Sequence, residues 1–500
     1  MDTQLVVIGA GPGGYTAAFL AADLGMQVSL VDMEPRLGGV CLLRGCIPSK
    51  ALLHVTKAMA EARELAGWGV TFSDPKIEID VLRGRKEKVI ATLAGGLAEL
   101  AKRRGVRLIR ARAAFEDSQT LRLEPVGDEK QGTDEAGSLG SGRSPGAAEG
   151  SKHSNANPPQ DGRLRFEHCI LATGSSPARI PAMRMPSARV MDSTGALELA
   201  GVPEAILIVG GGYIGLELGT VYAALGSRVS VVELTDGLLP GADRDLVKPL
   251  QKRLESRFSA IYLNTKVVAM TETKDSVEVA FEGDRAETQR FSQVLVSVGR
   301  RPNSAGLGLE NTKVQIDARG FVLVDKQQRT TDRSIFAIGD VAGEPMLAHK
   351  AARQAKVAVE ALAGQQAAFD PRAIPAVVFT DPEIAWAGLT ETDARRQGRP
   401  VEVAVFPWAA SGRAQAVGRP EGLTKWLIEP ESQRVIGCGI VGAGAGELIG
   451  EAVLAIEMGA SLRDVAESIH PHPTLSETLA GAAEVFLGTA TDLYRPKQKA

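Results

Sequence analysis

Residues 5–14 read LVVIGAGPGG and residues 206–215 read ILIVGGGYIG. Each is a short apolar run that breaks into a Gly-x-Gly-x-x-Gly turn. The glycines are Gly9, Gly11 and Gly14 in the first, and Gly210, Gly212 and Gly215 in the second. A small-residue helical pattern follows each turn. Gly25 and Gly226 each lie 16 residues beyond the opening glycine, and Asp32 and Glu233 each lie 23 beyond it. Both acids close a second apolar run, VSLVD or VSVVE. The pattern predicts two strand–turn–helix–strand units about 200 residues apart. Such a turn lets backbone approach a pyrophosphate, the helix start offers free N–H groups, and the acid reaches a ribose. One turn alone is weak evidence. Two complete copies point to two dinucleotide sites. Glu233 suits a free 2′-hydroxyl and repels a 2′-phosphate, and Leu234 and Thr235 bring no cation, so NAD is expected there rather than NADP.

The length of 500 residues implies several domains. Apolar residues at 44% and charged residues at 23% fit a globular protein. A net charge of −3 and 4% aromatics argue against a nucleic-acid surface. No apolar run reaches the length of a membrane span. The N-terminus runs straight into a buried strand with no basic region before it, so a cytoplasmic location is expected. Four cysteines do not make a disulfide scaffold.

Residues 127–162 contain no Val, Ile, Met or aromatic residue, and their only large aliphatic residue is Leu139. Such a stretch buries too little apolar surface to offset its ordering entropy. It is expected to be a disordered insertion between strands near 119–124 and 163–171. Strand-like segments recur near 260–300, 314–340, 376–379, 402–408 and 424–429. Helical patterns at 446–459 and 475–488 complete an expected C-terminal α+β domain.

A second signal is GVCLLRGCIPSK, residues 39–50. Cys41 and Cys46 are separated by four residues at the start of a helical segment, where a helix N-terminus and a nearby cation favour the thiolate. The pair reads as redox-active or as two buried structural cysteines. No second pair sits at zinc-ligand spacing. Cys169 and Cys438 lie in apolar runs and read as core. A third signal is HPHPTLSE, residues 470–477, in which a histidine is followed by a carboxylate able to orient it.

Taken together these motifs resemble the flavoprotein disulfide reductase family, and within it the dihydrolipoamide dehydrogenase branch. The resemblance covers nearly the whole chain apart from 127–162. It implies an α/β fold with two Rossmann-like domains, for FAD and NAD, and a C-terminal α+β dimerisation domain. The implied ranges are 1–186 for FAD, 187–299 for NAD, 300–370 for a central segment completing the FAD site, and 371–500 for the interface. It implies that Cys41 and Cys46 form a redox disulfide, with Cys41 exchanging with substrate and Cys46 facing the flavin. His472 is implied as the acid–base group with Glu477 as its partner, both supplied by the second subunit of a homodimer, and His470 as a support. Lys50 and Glu217 are implied to pair near the flavin and nicotinamide. Gly9, Gly11, Gly14, Asp32, Gly39, Thr173, Gly174, Asp340 and Ala348 would hold FAD, with His349 nearby. Gly210, Gly212, Gly215, Glu233 and Gly299 would belong to the NAD side. No metal is expected. The implied substrate is a dihydrolipoyl-bearing protein of a 2-oxoacid dehydrogenase or glycine-cleavage complex.

Some residues depart from the family pattern. Asp32 stands where Glu is usual, Leu42-Leu43-Arg44 where an Asn-containing loop is common, and Pro471 where Ala is usual. Other branches fit less well. NADP-linked reductases want an Arg after Glu233, mercuric reductases a C-terminal cysteine pair, and soluble transhydrogenases lack the Cys41–Cys46 pair. From another class, a flavin-binding scaffold without turnover would not need Cys41, Cys46, His472 and Glu477 together.

Overall fold

The apolar run Thr3–Ile8 forms a strand with both faces buried, which is what a continuous apolar run does inside a parallel sheet. The computed structural model describes residues 2–126, 161–180, 183 and 185–493. They form two compact units. The first gathers residues 1–47, 88–176 and 300–370, and the second 48–87, 177–299 and 371–500.

In the first unit the strands Arg107–Asp117, Val28–Asp32, Thr3–Ile8, Arg163–Leu171 and Ile335–Ala337 lie side by side and parallel. The strand Thr120–Pro125 pairs antiparallel with both Arg107–Asp117 and Arg163–Leu171, with Leu121 opposite Leu164. The stretch 127–162 therefore joins two paired strands. Its residues 127–160 lie outside the described residues. The helix Pro12–Asp23 follows the first glycine turn and packs on the helix Ala348–Leu362. Ala17, Ala18 and Ala21 meet Ala355 and Ala358 in one buried cluster. A Cβ on Gly13 would stand 3.3 Å from that of Ala351, so small residues set the helix spacing.

The expected strands of 314–340 shrink to Ile335–Ala337 and isolated bridges such as Ile316 with Val322. The reason is local. Asp317 accepts from the N–H groups of Arg319 and Phe321, and Asp325 from those of Gln327 and Arg329. Side-chain carboxylates thus claim the donors that a ladder would use.

The second unit repeats the parallel motif. Ala260–Tyr262, Arg228–Val232, Ala205–Val209, Gln293–Val296 and Val190–Met191 form its sheet. It also carries a five-stranded antiparallel sheet in the order Ala376–Val378, Glu383–Gly388, Val435–Gly442, Leu423–Ile428, Glu402–Pro407. The helices Ala445–Met458 and Glu477–Leu487 fall where the helical patterns predict them. Fully buried Trp426 donates its indole N–H to Leu479 O at 3.0 Å, and Thr424 bonds Thr478 at 2.8 Å. A Cβ on Gly481 would come 2.9 Å from the Phe406 ring. The start of helix Glu477–Leu487 is thereby pinned to the sheet.

Strand alternation sends Lys425 to the opposite face from Trp426. There its ammonium, wholly buried, meets Asp243 at 2.9 Å, Asp245 at 2.8 Å and Glu391 at 2.6 Å. Burial opposes ionisation of Asp243, yet Lys425 and Thr392 hold its carboxyl below the ordinary range. That contribution to stability is present above the unfolded pKa, about 3.9, and is lost as pH falls through the lower folded value. Lys425→Met, which leaves three carboxylates without their cation, is expected to cost about 3–5 kcal/mol. Chemical denaturation checks this; an unchanged midpoint would show that the cluster carries no net stability.

Candidate active site

The first glycine turn is shaped for close backbone contact. Gly9 has φ +101°, and a Cβ there would lie 2.3 Å from Ala172 O. A Cβ on Gly14 would lie 1.7 Å from Gly9 O, so the helix starts hard against the strand end. A Cβ on Gly39 would reach 2.6 Å from the Cα of Gly11. No side chain caps the helix Pro12–Asp23 at Gly11, and its first turn holds no acid. The backbone N–H groups and the positive end of the helix dipole therefore remain for an anion. Asp32 closes the neighbouring strand. Its carboxylate accepts from the N–H of Ala10 and, at 2.8 Å, from that of Glu34, while burial pushes its pKa up.

Further along the same unit, Thr173 and Gly174 are clamped by Asn303. Its side chain donates to Thr173 O at 2.9 Å, its N–H donates to Gly174 O at 2.9 Å, and its carbonyl accepts from Thr173 Oγ1 at 2.8 Å. Gly174 has φ +70° and open space where a Cβ would project. Ser175 donates to Asp340 Oδ2 at 2.5 Å and accepts from Arg300 Nε at 2.7 Å. Ala348 opens the helix Ala348–Leu362, whose N-terminus no side chain caps. Ser175, Arg300 and Asn303 lie in stretches that the sequence marks, but their bonds to the site residues are tertiary.

Cys41 lies in the short helix Gly39–Arg44 and is half-buried, and exposed Cys46 opens the helix Cys46–Glu64. Leu42 anchors the short helix against Ile90 and Ala94. Burial and, secondarily, the Cys41 sulfur push the Tyr15 phenol up, so these two side chains are neighbours. Arg44, between the cysteines, forms an ion pair with Glu34. Its charge is therefore partnered by a carboxylate. Cys169 and Cys438 are buried core thiols, both pushed up by burial.

The second unit holds the other groups. Gly210 has φ +105°, and a Cβ there would lie 2.6 Å from Ser297 O. A Cβ on Gly215 would lie 2.5 Å from Gly210 O, while Gly212 and Gly299 face open space. The helix Tyr213–Leu225 again lacks a side-chain cap. Buried Glu233 accepts from Gly211 N at 2.7 Å, Thr235 N at 2.9 Å and Thr235 Oγ1 at 2.8 Å. Leu234 projects into solvent.

Glu217 is 3% exposed on that helix, and its Oε2 meets Lys50 Nζ at 2.7 Å. Its Oε1 accepts from Phe379 N at 3.0 Å, and the Phe379 ring lies 4.5 Å from Lys50 Nζ. Phe379 thus satisfies the carboxylate and backs the ammonium with its ring face. Nothing in the run AVVF distinguishes it from an ordinary strand residue. At the far end of the chain His472 Nδ1 lies 2.8 Å from Glu477 Oε1, and Thr474 N donates to Glu477 Oε2 at 2.7 Å. Burial opposes ionisation of Glu477, but Thr474 and His472 hold its carboxyl below the usual range. The His472 side chain is 79% exposed, whereas that of His470 is buried and bonds Glu451 at 2.7 Å. His54 is exposed, burial lowers the pKa of His168, and His153 lies outside the described residues.

Residues 3–355 match the model of the pyridine nucleotide-disulphide oxidoreductases, and residues 374–483 match the dimerisation domain of the same family. The chain belongs to that family. It is 46% identical over 500 residues to a dihydrolipoyl dehydrogenase of Haemophilus influenzae, covering 100% of this chain and 98% of the relative. It is 41% identical to one of Halobacterium salinarum, covering 98% and 97%. Among solved structures, LpdA of Mycobacterium tuberculosis superposes with a TM-score of 0.83 at 26% identity over 96% of this chain and 99% of that one. The HOCl-induced flavoprotein disulfide reductase RclA of Escherichia coli gives 0.78 at 26% identity, over 95% and 98%. Family membership implies FAD and NAD as cofactors. The uncapped helix starts, the glycine cradles and the acids at both strand ends fit two dinucleotides. No helix among the described residues is long and apolar enough to cross a membrane.

Gly14→Ala places a methyl inside the Gly9 carbonyl. It is expected to yield protein without bound FAD, read as loss of the flavin absorbance relative to the protein band. A fully yellow variant would show that the first turn is not the cradle.

Proposed function

We propose that this chain oxidises dihydrolipoyl groups to lipoyl disulfide and passes the electrons to NAD, through FAD and a Cys41–Cys46 disulfide. The His472–Glu477 pair carries the reading. A solvent-facing imidazole held by an ionised carboxylate is a proton acceptor placed for an incoming substrate. The relatives named dihydrolipoyl dehydrogenase at 46% identity support the same substrate class.

His472 takes the proton of one substrate thiol, with Glu477 stabilising the imidazolium. The thiolate attacks Cys41 Sγ, so a substrate–Cys41 bond forms, the Cys41–Cys46 bond breaks, and Cys46 leaves as thiolate. His472 gives this first proton up to solvent and takes that of the second substrate thiol, which as thiolate attacks its own partner sulfur. The lipoyl disulfide departs, and Cys41 leaves and takes a proton back from His472. FAD and NAD, when bound, supply the two-electron acceptor and the final hydride acceptor. Lys50, held by Glu217 and Phe379, contributes a fixed positive charge for the negative charge that reduction brings.

Gly9, Gly11, Gly14, Asp32, Gly39, Thr173, Gly174, Asp340 and Ala348 are assigned to FAD. Gly210, Gly212, Gly215, Glu233 and Gly299 are assigned to NAD. Glu233 beside exposed, uncharged Leu234 supports NAD over NADP. The ranges 1–186, 187–299, 300–370 and 371–500 are proposed as FAD, NAD, central and interface domains. The matched dimerisation domain and the exposed His472 support a homodimer in which each His472–Glu477 pair serves its partner's cysteines. A cytoplasmic enzyme acting on the lipoyl protein of a 2-oxoacid dehydrogenase or glycine-cleavage complex fits this reading.

Cys41→Ser is expected to keep FAD and lose dihydrolipoamide oxidation on the order of 10³-fold or more. Normal turnover with NAD would overturn the mechanism. His472→Gln is expected to lower the same rate about 10²–10⁴-fold. Mixed dimers of these two inactive variants contain one intact site and should regain activity. If refolded mixtures stay inactive, the pair does not act across subunits.

A further inference from the structure

We propose that Lys350 is a positioning residue of the flavin site, which fixes the Gly339–Gly343 turn and presents beside it a buried positive charge that favours reduced flavin. Lys350 sits in the first turn of the helix Ala348–Leu362 and is 4% exposed. Its Nζ donates to Gly339 O at 3.2 Å and also to Gly343 O, the two ends of the turn that carries Asp340. One helical turn on, Gln354 is 3% exposed and accepts from Gly339 N at 2.8 Å. Side chains at i and i+4 of one helix face therefore grip the turn.

The grip needs no charge, since a neutral donor would serve the same carbonyls. Among the described residues no carboxylate forms an ion pair with Lys350. Burial lowers its pKa to about 8, and Asp340 and Glu344, both in or beside the turn, act on it only from a distance. The helix Pro12–Asp23, packed on the same helix, brings no charged residue before Asp23. A buried ammonium without a counter-charge is costly, and groups kept at such cost cluster at functional sites. The inference rests on FAD binding in this unit. FAD gains two electrons and one proton on reduction, and hence one negative charge. A fixed cation at its binding turn stabilises that state more than the oxidised one.

The test uses holoenzyme carrying Cys41→Ser and Cys46→Ser, so that flavin alone takes up electrons. Its yellow absorbance checks the FAD assignment separately. Adding Lys350→Met is expected to make flavin reduction at least tenfold less favourable, a midpoint about 30 mV more negative for a two-electron couple. Lys350→Arg should restore most of it. A yellow Lys350→Met protein with the parent midpoint overturns the proposal. A second measurement leaves Lys350 in place and follows the parent midpoint from pH 6 to 10. Each pH unit is a tenfold change in proton activity, worth about 30 mV per proton taken up. The slope should steepen from one proton to two as the pH rises above about 8, where Lys350 becomes neutral with oxidised flavin and is protonated with reduced flavin. A single unbroken slope also overturns it.

Discussion

At two places in this chain a helix begins closer to the end of a strand than any side chain permits. A methyl on Gly14 would overlap Gly9 O, and one on Gly215 would overlap Gly210 O. Everything that concerns dinucleotides depends on this contact. It aims an uncapped helix start at the space beyond the strand, where backbone N–H groups and the helix dipole meet an anion. It also lets the acid of the next strand reach back into the turn. Asp32 bonds the Ala10 N–H and Glu233 the Gly211 N–H in the same way. Each acid thus braces the glycine turn of its own unit.

Two buried lysines show how differently one residue type is used. Lys425 has three carboxylates around it, and they hold its pKa up against burial. It is a structural cation, tying the helix Arg244–Glu255 and the start of the helix Glu391–Gln397 to the antiparallel sheet. Lys350 has backbone carbonyls and, among the described residues, no paired carboxylate, and burial prevails. Burial alone does not separate the two; the count of nearby counter-charges does.

The same sheet explains why a histidine near the end of the chain keeps a defined geometry while facing solvent. Trp426 and Thr424 fix the first turn of the helix Glu477–Leu487 from below, and Thr474 fixes Glu477 from the side. His472 therefore stands on a rigid base although little protein covers it.

Much of this was readable from residues alone, because the signals are local. The paired glycine turns, the acids 23 residues beyond them and the cysteine box are short-range patterns whose backbone demands no tertiary context relaxes. They pointed to two dinucleotide-binding folds and to the family, both of which the comparisons bear out. The strand pattern over 314–340 misled, because Asp317 and Asp325 capture backbone donors that the apolar alternation leaves unmentioned. Only the tertiary structure decided that Phe379 completes the Lys50–Glu217 pair, that Glu34 partners Arg44, and that Lys350 has no carboxylate partner among the described residues. Each of these rests on residues brought together by folding, or on a counter-charge that folding leaves out. Charge and hydrogen bonding act through space, and sequence order does not record which distant side chains share that space.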